Sequence, residues 1–369
     1  QTFLGPVLAV PYTTPPPAAG QPAERGVFVI FPASAQATAA MTSALLEQAT
    51  GPVGLFTSPH LLDLNERFRI DGADIGDAEL SHHWARVEAA AAETGEAPRL
   101  GGFEFLFLIA ADWFAARGCR HTVWEAGIGG RLDPVRLIAA QRVALTSLDL
   151  EHTALLGNTL EEIARDKLDA APKGARVFVS ACCAPQRVAI EEHCRAREVT
   201  VTWVEAVAAA PLNGDHQRAN AALASALAQD VSKLTPTEVS AGFAATRWAG
   251  RLERLSEDPL VVIDVGHTPA GVRAALTGFR VLAGSRRAVL VLGVSADKDV
   301  SAIVEALAPS FDTIICASAH HKGAPAALIA AHANAVNPAA EIIVAESVAE
   351  ARKLAIAKAR DGAIYAAGG

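Results

Sequence analysis

Short apolar runs alternate with longer amphipathic stretches along most of the chain. Apolar residues recur at three- and four-residue spacing in 77–94 and 103–118, which predicts helices in both stretches. Further helices are predicted at 37–50, 159–170 and 215–228. Short apolar or β-branched runs between turn signals predict strands, here at 27–31, 54–60 with its turn, 143–150, 177–180, 199–204, 261–264, 288–293 and 313–317. Alternating strands and helices in both halves predict an α/β protein with parallel sheets.

Proline content and chain length suggest how the protein is divided. Residues 1–26 are proline-rich, which predicts an extended, poorly packed N-terminal arm. A chain of 369 residues is long enough for about two domains. We place their boundary between Ala245 and Leu260, in the segment that leads into a buried strand. The predicted domains are therefore 27–245 and 246–369.

The overall composition excludes several classes of protein. Hydrophobic residues make up 51% of the chain and charged residues 20%, which is enough apolar material for full cores. A net charge of -8 argues against a protein that binds nucleic acid or a membrane surface. The five cysteines form no CxxC pair, so neither a disulfide framework nor a zinc site is predicted. A reducing, cytoplasmic location is expected, without a signal peptide or a membrane-spanning run.

A glycine-rich stretch, 124–133, follows the β-branched run 121–123. Glu125 lies where the predicted strand ends, and Arg131 and Asp133 follow three glycines, which are Gly127, Gly129 and Gly130. Glycine allows a tight turn or the close approach of a ligand to the backbone. Because ligands bind beyond the carboxyl ends of strands in open α/β sheets, this stretch indicates the edge of an active site. The alternative is a tight turn with a surface ion pair.

Several other motifs share the order and spacing of a known family. They are Ser58-Pro59-His60-Leu61, 65–70, 125–133, Glu151-His152-Thr153, 156–164, His216-Gln217 with Asn220, Gly250-Arg251-Leu252-Glu253, and Asp264 with His267 and Pro269. From about Gly54 to its end, the chain resembles folylpolyglutamate synthase/dihydrofolate synthase, of the Mur ligase superfamily. The resemblance implies a Mur-ligase-like α/β fold, with a P-loop-type central domain on a parallel sheet and a smaller C-terminal Rossmann-like domain. It also implies an ATP-dependent ligase that joins glutamate to a folate- or pteroate-type carboxylate through an acyl-phosphate.

The same resemblance implies roles for individual residues. Glu125 and His152 match magnesium ligands, and Lys167 matches a lysine that is carbamylated and helps to hold a second magnesium; these three are the implied catalytic residues. The residues that match ATP contacts are Asn220, Arg251, Asp264 and His267. The residues that match the loop near the pterin-bearing substrate are Ser58, Pro59 and His60. Glu125, His152, Arg251, Asp264 and His267 are expected to line a cleft between the domains. The structural alternatives are a helix N-cap for Asp264, a solvated helix position for Lys167, and a capping or packing role for His152.

The chain departs from the family where the ATP loop should be. The family has roughly GTNGKGST between the first strand and the first helix, and the corresponding positions here are 31–38. Ala35 replaces the lysine, Ala37 replaces the magnesium-binding hydroxyl, and Phe31, Ser34 and Gln36 replace glycines. A phosphate loop needs inward-pointing N–H groups and a lysine for the β/γ-phosphates, and Pro32 has no N–H to offer. Weak or absent ATP binding is therefore predicted.

Three hypotheses about function remain open from the sequence. The first is an amide ligase of the folylpolyglutamate synthase type whose loop is degraded but rescued. The second is a P-loop-less pseudo-ligase that serves as a binding or regulatory subunit, paired with a partner protein. The third is a site redirected to metal-dependent amide-bond chemistry at Glu125, His152 and Lys167. All three expect a small-molecule substrate of folate, pterin or acyl-amino-acid type, with magnesium as the metal.

Overall fold

The structure is a computed structural model, in which the described residues are 26–31, 35–49, 51–95, 100–319 and 322–368. Most of the predicted N-terminal arm, and the loop residues Pro32, Ala33 and Ser34, lie outside them. The chain divides into two compact units. The first comprises the described residues up to Pro211 together with Arg218–Thr246, and the second comprises Leu212–Gln217 and Arg247–Gly369.

The first unit alternates strands with helices. Its strands are β1 (Gly26–Phe31), β2 (Val53–Phe56), β3 (Phe68–Ile70), β4 (Ala73–Asp74), β5 (His121–Glu125), β6 (Arg142–Leu145), β7 (Arg176–Ser180) and β8 (Thr200–Val204). Its helices are α1 (Ala35–Glu47), α2 (Asp77–Thr94), α3 (Gly102–Ala116), α4 (Thr153–Leu156), α5 (Leu160–Leu168), α6 (Arg187–Ala196), α7 (His216–Gln229) and α8 (Pro236–Ala245). The first two residues of α7 belong to the second unit.

One sheet forms the centre of the first unit. Among the described residues its strand order is β4-β3-β2-β5-β1-β6-β7-β8. The strands from β2 to β8 in this order pair in parallel, whereas β3 and β4 add an antiparallel edge. Rings from β2, α3 and β5 build the core on one face: the Trp124 ring lies 5.2 Å from those of Phe107 and Phe114 and 5.7 Å from that of Phe56. Such aromatic contacts add to the stability that comes from burial alone.

The second unit is a smaller α/β layer structure. Its strands are β9 (Glu253–Glu257), β10 (Leu260–Asp264), β11 (Ala288–Leu292), β12 (Thr313–Cys316), β13 (Glu341–Val344) and β14 (Ala363–Ala367). Its helices are α9 (Pro269–Ala283), α10 (Val300–Leu307), α11 (Ala326–Val336) and α12 (Val348–Ala359). Over the described part of this unit the strand order is β13-β12-β11-β14-β10-β9, parallel except for the edge strand β9. The rings of Phe279 and Tyr365 stack at 4.5 Å within its core.

The predicted α/β fold class with mainly parallel sheets is confirmed. The strand expected at 143–150 ends earlier, at Leu145. Leu145 pairs with Phe31, the last residue of β1, so a longer strand would have no ladder partner on that side. Within the described ranges, no helix has the length and apolarity needed to cross a membrane.

Candidate functional site

The parallel strands of the first unit end together at one edge of the sheet, which we call the carboxyl edge. The turn 58–60 follows β2, the glycine-rich loop 127–133 follows β5, and His152 follows β6. Ligands in open α/β sheets bind beyond this edge. The sequence-predicted residues of the first unit other than Asn220 and Lys167 therefore lie where a ligand is expected.

Glu125 anchors the 58–60 turn from the end of β5. Its side chain is 4% exposed, and its Oε2 accepts the backbone N–H of Ser58 at 2.7 Å. Arg67, at the end of a 3-10 helix, donates from Nη1 to Ser58 Oγ at 3.0 Å and from Nε to His60 Nδ1 at 2.8 Å. Glu125, Ser58, Arg67 and His60 thus form one connected polar cluster.

The electrostatics of this cluster follow from its partial burial. Burial lowers the pKa of Arg67, and the nearby Glu125 carboxylate opposes that shift. Burial and the Arg67 charge both lower the pKa of His60. A neutral His60 suits its hydrogen bond, since Nδ1 can accept from Arg67 only when it carries no proton.

Asp133 shapes the glycine-rich loop from inside. Its Oδ2 accepts the N–H groups of Gly127 at 2.8 Å and Ile128 at 3.1 Å, and its Oδ1 accepts the Val135 N–H at 2.9 Å. Burial raises the pKa of Asp133 to about 6, although these hydrogen bonds favour the charged form. The loop is therefore held by a carboxylate that is costly to bury, and the burial of Asp133 argues against the alternative of a surface ion pair at this residue.

The glycine-rich loop also rests on α5. Asp166 accepts the Gly130 N–H at 2.9 Å and pairs with Arg131 Nε at 3.2 Å. A Cβ at Gly130 would overlap the backbone carbonyl of Lys167, so this glycine is required for the close approach. The Thr159 N-cap and its capping box with Glu162 begin α5 as predicted.

Lys167 lies near the end of α5 and is 5% exposed, which contradicts the alternative of a solvated helix residue. Burial lowers the pKa of Lys167, and the carboxylates of Glu151, Asp166 and Asp133 oppose the shift. A lowered pKa increases the fraction of neutral amine, the form that can react with carbon dioxide. The role of Lys167 as a carbamylated lysine stays a prediction of the family resemblance.

His152 precedes α4 with a left-handed backbone, φ 52°, and is exposed. Its side chain makes no capping hydrogen bond to α4, which argues against the capping alternative. The described residues contain no group of three or more His, Cys, Asp or Glu side chains that could together hold a metal ion. Glu125 offers a carboxylate oxygen, which suits magnesium, and His152 offers an imidazole, which suits it less. The pair stays a predicted set of magnesium ligands, with coordination completed by other donors.

In the second unit, Asp264 ends β10 in a buried position. Its Oδ2 accepts the Leu252 N–H at 3.1 Å, and its Oδ1 accepts the Gly266 N–H at 2.8 Å. Burial raises the pKa of Asp264, while the Gly266 N–H and the Arg251 charge lower it. The N-cap of α9 is Thr268, so the alternative of an N-cap role for Asp264 is wrong.

His216 belongs to the same polar cluster as Asp264 and Arg251. Burial lowers the pKa of His216, the Asp264 carboxylate raises it and the Arg251 charge lowers it. Its Nε2 lies 3.1 Å from Gln217 Nε2, and its buried Nδ1 has no hydrogen-bond partner among the described residues. The second unit thus brings a carboxylate, an imidazole and a guanidinium together beside the end of β10.

The two other predicted ATP contacts lie apart in the chain. His267 follows Asp264, and its Nδ1 lies 3.4 Å from the Val265 carbonyl oxygen. Asn220 is buried on α7, in the part of that helix that belongs to the first unit. The roles of both residues, and the predicted cleft, stay predictions.

Sequence reasoning missed two residues that contact the 58–60 turn, Arg67 and Gln36. Arg67 lies in the matched segment 65–70 but received no role, although a charged residue so close to the 58–60 motif was a signal. Gln36 was interpreted only as a lost glycine; in the structure its Nε2 donates to the Pro59 carbonyl oxygen at 2.9 Å. Only the three-dimensional structure brings these two residues to the 58–60 turn.

Comparison with known proteins finds relatives in the family that the sequence motifs resemble. The family model described as Mur ligase, glutamate ligase domain matches residues 250–369. Folylpolyglutamate synthase of Lacticaseibacillus casei is 31% identical over 338 residues, which cover 80% of this chain and 78% of that protein. A probable bifunctional folylpolyglutamate synthase/dihydropteroate synthase of Halobacterium salinarum is 33% identical over 350 residues, 85% of this chain but 43% of that longer protein.

A solved structure extends the likeness to the fold. Mycobacterium tuberculosis folylpolyglutamate synthase, complexed with ADP and AMPPCP, superposes with a TM-score of 0.85 and 25% identity, over 93% of this chain and 88% of that one. The two mainly parallel α/β units, together with the match of residues 250–369 to the Mur ligase glutamate ligase domain, identify a protein of the Mur ligase type. The chain belongs to the folylpolyglutamate synthase/dihydrofolate synthase family.

Proposed function

We propose that this protein binds a folate-type or acyl-glutamate ligand at the carboxyl edge of its first unit, and that it binds ATP too weakly for ordinary ligase turnover. The named relatives support the ligand class, because they are folylpolyglutamate synthases. The 58–60 turn supports ligand binding at this edge, because Glu125 and Arg67 hold the turn in a defined position. The protein would then act as a ligand-binding member of a ligase family, alone or as the subunit of a partner.

The observation that carries the proposal is the first turn of α1. Its four residues are Ala35, Gln36, Ala37 and Thr38, and all are buried. In a phosphate-binding loop these positions supply a lysine, a glycine and a hydroxyl to the triphosphate and its magnesium. Here two alanine side chains and a glutamine take their place, so the strongest electrostatic partners of the phosphates are missing. The remaining partial charge of the helix N-terminus is weak compensation.

A metal ion remains compatible with the residues at the edge. Glu125 and His152 would hold magnesium, which when bound would supply positive charge beside the ligand carboxylate. Arg67 holds Ser58 and His60 in place, and the Asp133 carboxylate fixes the backbone of the glycine-rich loop. These residues orient a ligand; none of them replaces the lost lysine.

Titration calorimetry with Mg-ATP tests the proposal. We expect a dissociation constant above about 1 mM for the parent, equivalent to roughly 4 kcal/mol of binding or less. The triple variant Ala35→Lys, Gln36→Gly, Ala37→Ser should bind at least about tenfold more tightly, because it restores the charge and the donors. Ala49→Lys adds the same charge just beyond the other end of α1 and should change nothing. Micromolar binding by the parent would instead restore the ordinary ligase function.

A metal-dependent amide hydrolase is the second candidate. The observation in its favour is that a carboxylate, Glu125, is kept buried at the end of β5, and a metal held there could activate water. Incubation of pteroylglutamate with manganese and the parent or Glu125→Gln tests this candidate. Release of glutamate by the parent alone would support it, and equal or no release would exclude it.

A further inference from the structure

Gln36 is a feature that belongs to this chain and not to the family pattern. The family places glycine at this position of its ATP loop, where a side chain would crowd the phosphates. In this protein the Gln36 side chain is 7% exposed and reaches away from α1 to the 58–60 turn. Its Nε2 donates to the Pro59 carbonyl oxygen at 2.9 Å, across 23 positions of sequence.

The 58–60 turn is therefore held at three points by three different elements. Glu125 at the end of β5 accepts the Ser58 N–H, and Arg67 donates to the Ser58 hydroxyl and to His60. Gln36 at the start of α1 supplies the third point, at the Pro59 carbonyl. A carbonyl oxygen held by a buried amide cannot rotate without loss of a hydrogen bond, so the third point fixes the orientation of the turn.

We propose that Gln36 is a positioning residue that sets the 58–60 turn for its ligand without help from a nucleotide. The Gln36 amide lies in the first turn of α1, where a phosphate-binding loop would contact phosphates. Its hydrogen bond to Pro59 orders the 58–60 turn on the ligand side of the site. The same substitution then accounts for both the weak nucleotide binding proposed above and a preformed ligand turn. The identity of the ligand in this inference rests on the proposed function. The order of the 58–60 turn does not depend on it.

The order of the turn is tested first, without any ligand. Gln36→Met keeps the length of the side chain but cannot donate, and Gln36→Glu keeps its shape but places an acceptor against the Pro59 carbonyl. Hydrogen exchange at 58–62, followed by mass spectrometry, should be about three- to tenfold faster in Gln36→Met, as expected for the loss of one hydrogen bond. It should be faster still in Gln36→Glu, since two acceptors repel each other. A purely space-filling role predicts no such order among the variants.

Gln48→Met is the matched control. Gln48 lies next to the other end of α1, and its Nε2 donates to Ala44 O within the same helix, at 3.4 Å. Exchange at 58–62 should match the parent in this variant. Unchanged exchange in Gln36→Met, or an equal change in Gln48→Met, would overturn the inference.

The ligand test separates this inference from the proposed function. Calorimetric titration with pteroylglutamate should give an affinity about three- to tenfold lower for Gln36→Met than for the parent or Gln48→Met. Adding Mg-ATP to the parent titration should leave the affinity for pteroylglutamate unchanged. Equal affinities of parent and Gln36→Met, or a clear gain with Mg-ATP, would overturn the positioning role. Absence of pteroylglutamate binding by the parent would overturn the proposed function, while hydrogen exchange would still decide the role of Gln36.

Discussion

Glu125 accepts the backbone N–H of Ser58 at 2.7 Å, so a side chain joins the ends of the neighbouring strands β2 and β5. The bond places the negative charge of Glu125 next to the turn for which the family resemblance predicts a substrate contact. The Arg67 guanidinium, which contacts the same serine, lies within reach of that charge.

Divalent cations should stabilise the first unit through Glu125. A ligand at about 100 times its dissociation constant adds roughly 2.7 kcal/mol to the free energy of unfolding. We expect magnesium or manganese to raise the melting temperature of the parent and to have little effect on Glu125→Gln. Glu192→Gln removes an exposed carboxylate on α6 and should behave as the parent. Equal shifts in all three proteins would show that the metal binds elsewhere.

Gly130→Ala should destabilise the protein. The new Cβ would meet the Lys167 carbonyl oxygen, and backbone atoms cannot yield as a flexible side chain does. Overpacking of this kind costs about 1–3 kcal/mol, which urea unfolding resolves. Gly102→Ala is the control, because no atom lies within 4 Å of its Cβ position. An effect of Gly130→Ala no larger than that of Gly102→Ala would contradict the close approach of loop and helix.

Cys182 should be the most reactive thiol at neutral pH. The Cys183 thiol, with its Sγ 4.0 Å from that of Cys182, lowers the pKa of Cys182 below the ordinary thiol value. Because the thiolate is the nucleophile, alkylation of the exposed Cys182 by iodoacetamide should begin at a lower pH than alkylation of the buried cysteines. Cys119, whose burial raises its pKa to about 12, should remain unmodified at neutral pH. Peptide mapping after brief alkylation measures both, and a Cys182 profile that rises only above pH 8 would refute the assignment.

Tyr365→Phe should leave the protein as stable as the parent or make it more stable. The Tyr365 hydroxyl is buried and has no hydrogen-bond partner in the described parts of the chain. Leaving such a group unpaired costs about 1–3 kcal/mol, whereas the ring contacts with Phe279 and Phe311 are kept by phenylalanine. Calorimetric unfolding of the two proteins gives the comparison. A loss of more than about 1 kcal/mol would mean that the hydroxyl is satisfied by bound water.

Local patterns made the fold and part of the site predictable. The capping box of Thr159 and Glu162 begins α5 where the sequence places it, because all of its bonds span three residues. The helix expected at 77–94 has the same bounds in the structure. Glu125 and Asp264 end buried strands, and a carboxylate at the end of an apolar run is visible in the sequence alone.

The contacts that the sequence did not reveal are those between distant segments. Asp166 holds the Gly130 N–H over 36 positions, and Gln36 holds the Pro59 carbonyl over 23. Neither pair has a periodicity or a spacing that a pattern could detect, since each depends on which strand ends become neighbours in the sheet. The strand order of the first unit, in which β5 lies between β2 and β1, creates that neighbourhood.

The short segment Leu212–Gln217 determines how the second unit can be produced as a separate fragment. It belongs to the second unit, yet the segment Arg218–Thr246 of the first unit separates it from Arg247. Asn213 donates to the Leu252 carbonyl at 2.9 Å, and Gly214 lies against Leu252 and Gly278. A fragment cut at Arg247 would lose these contacts and the His216 imidazole beside Asp264. An isolated second unit therefore calls for a rearranged gene, in which 212–217 is fused back by a linker, and a simple truncation would yield a frayed product.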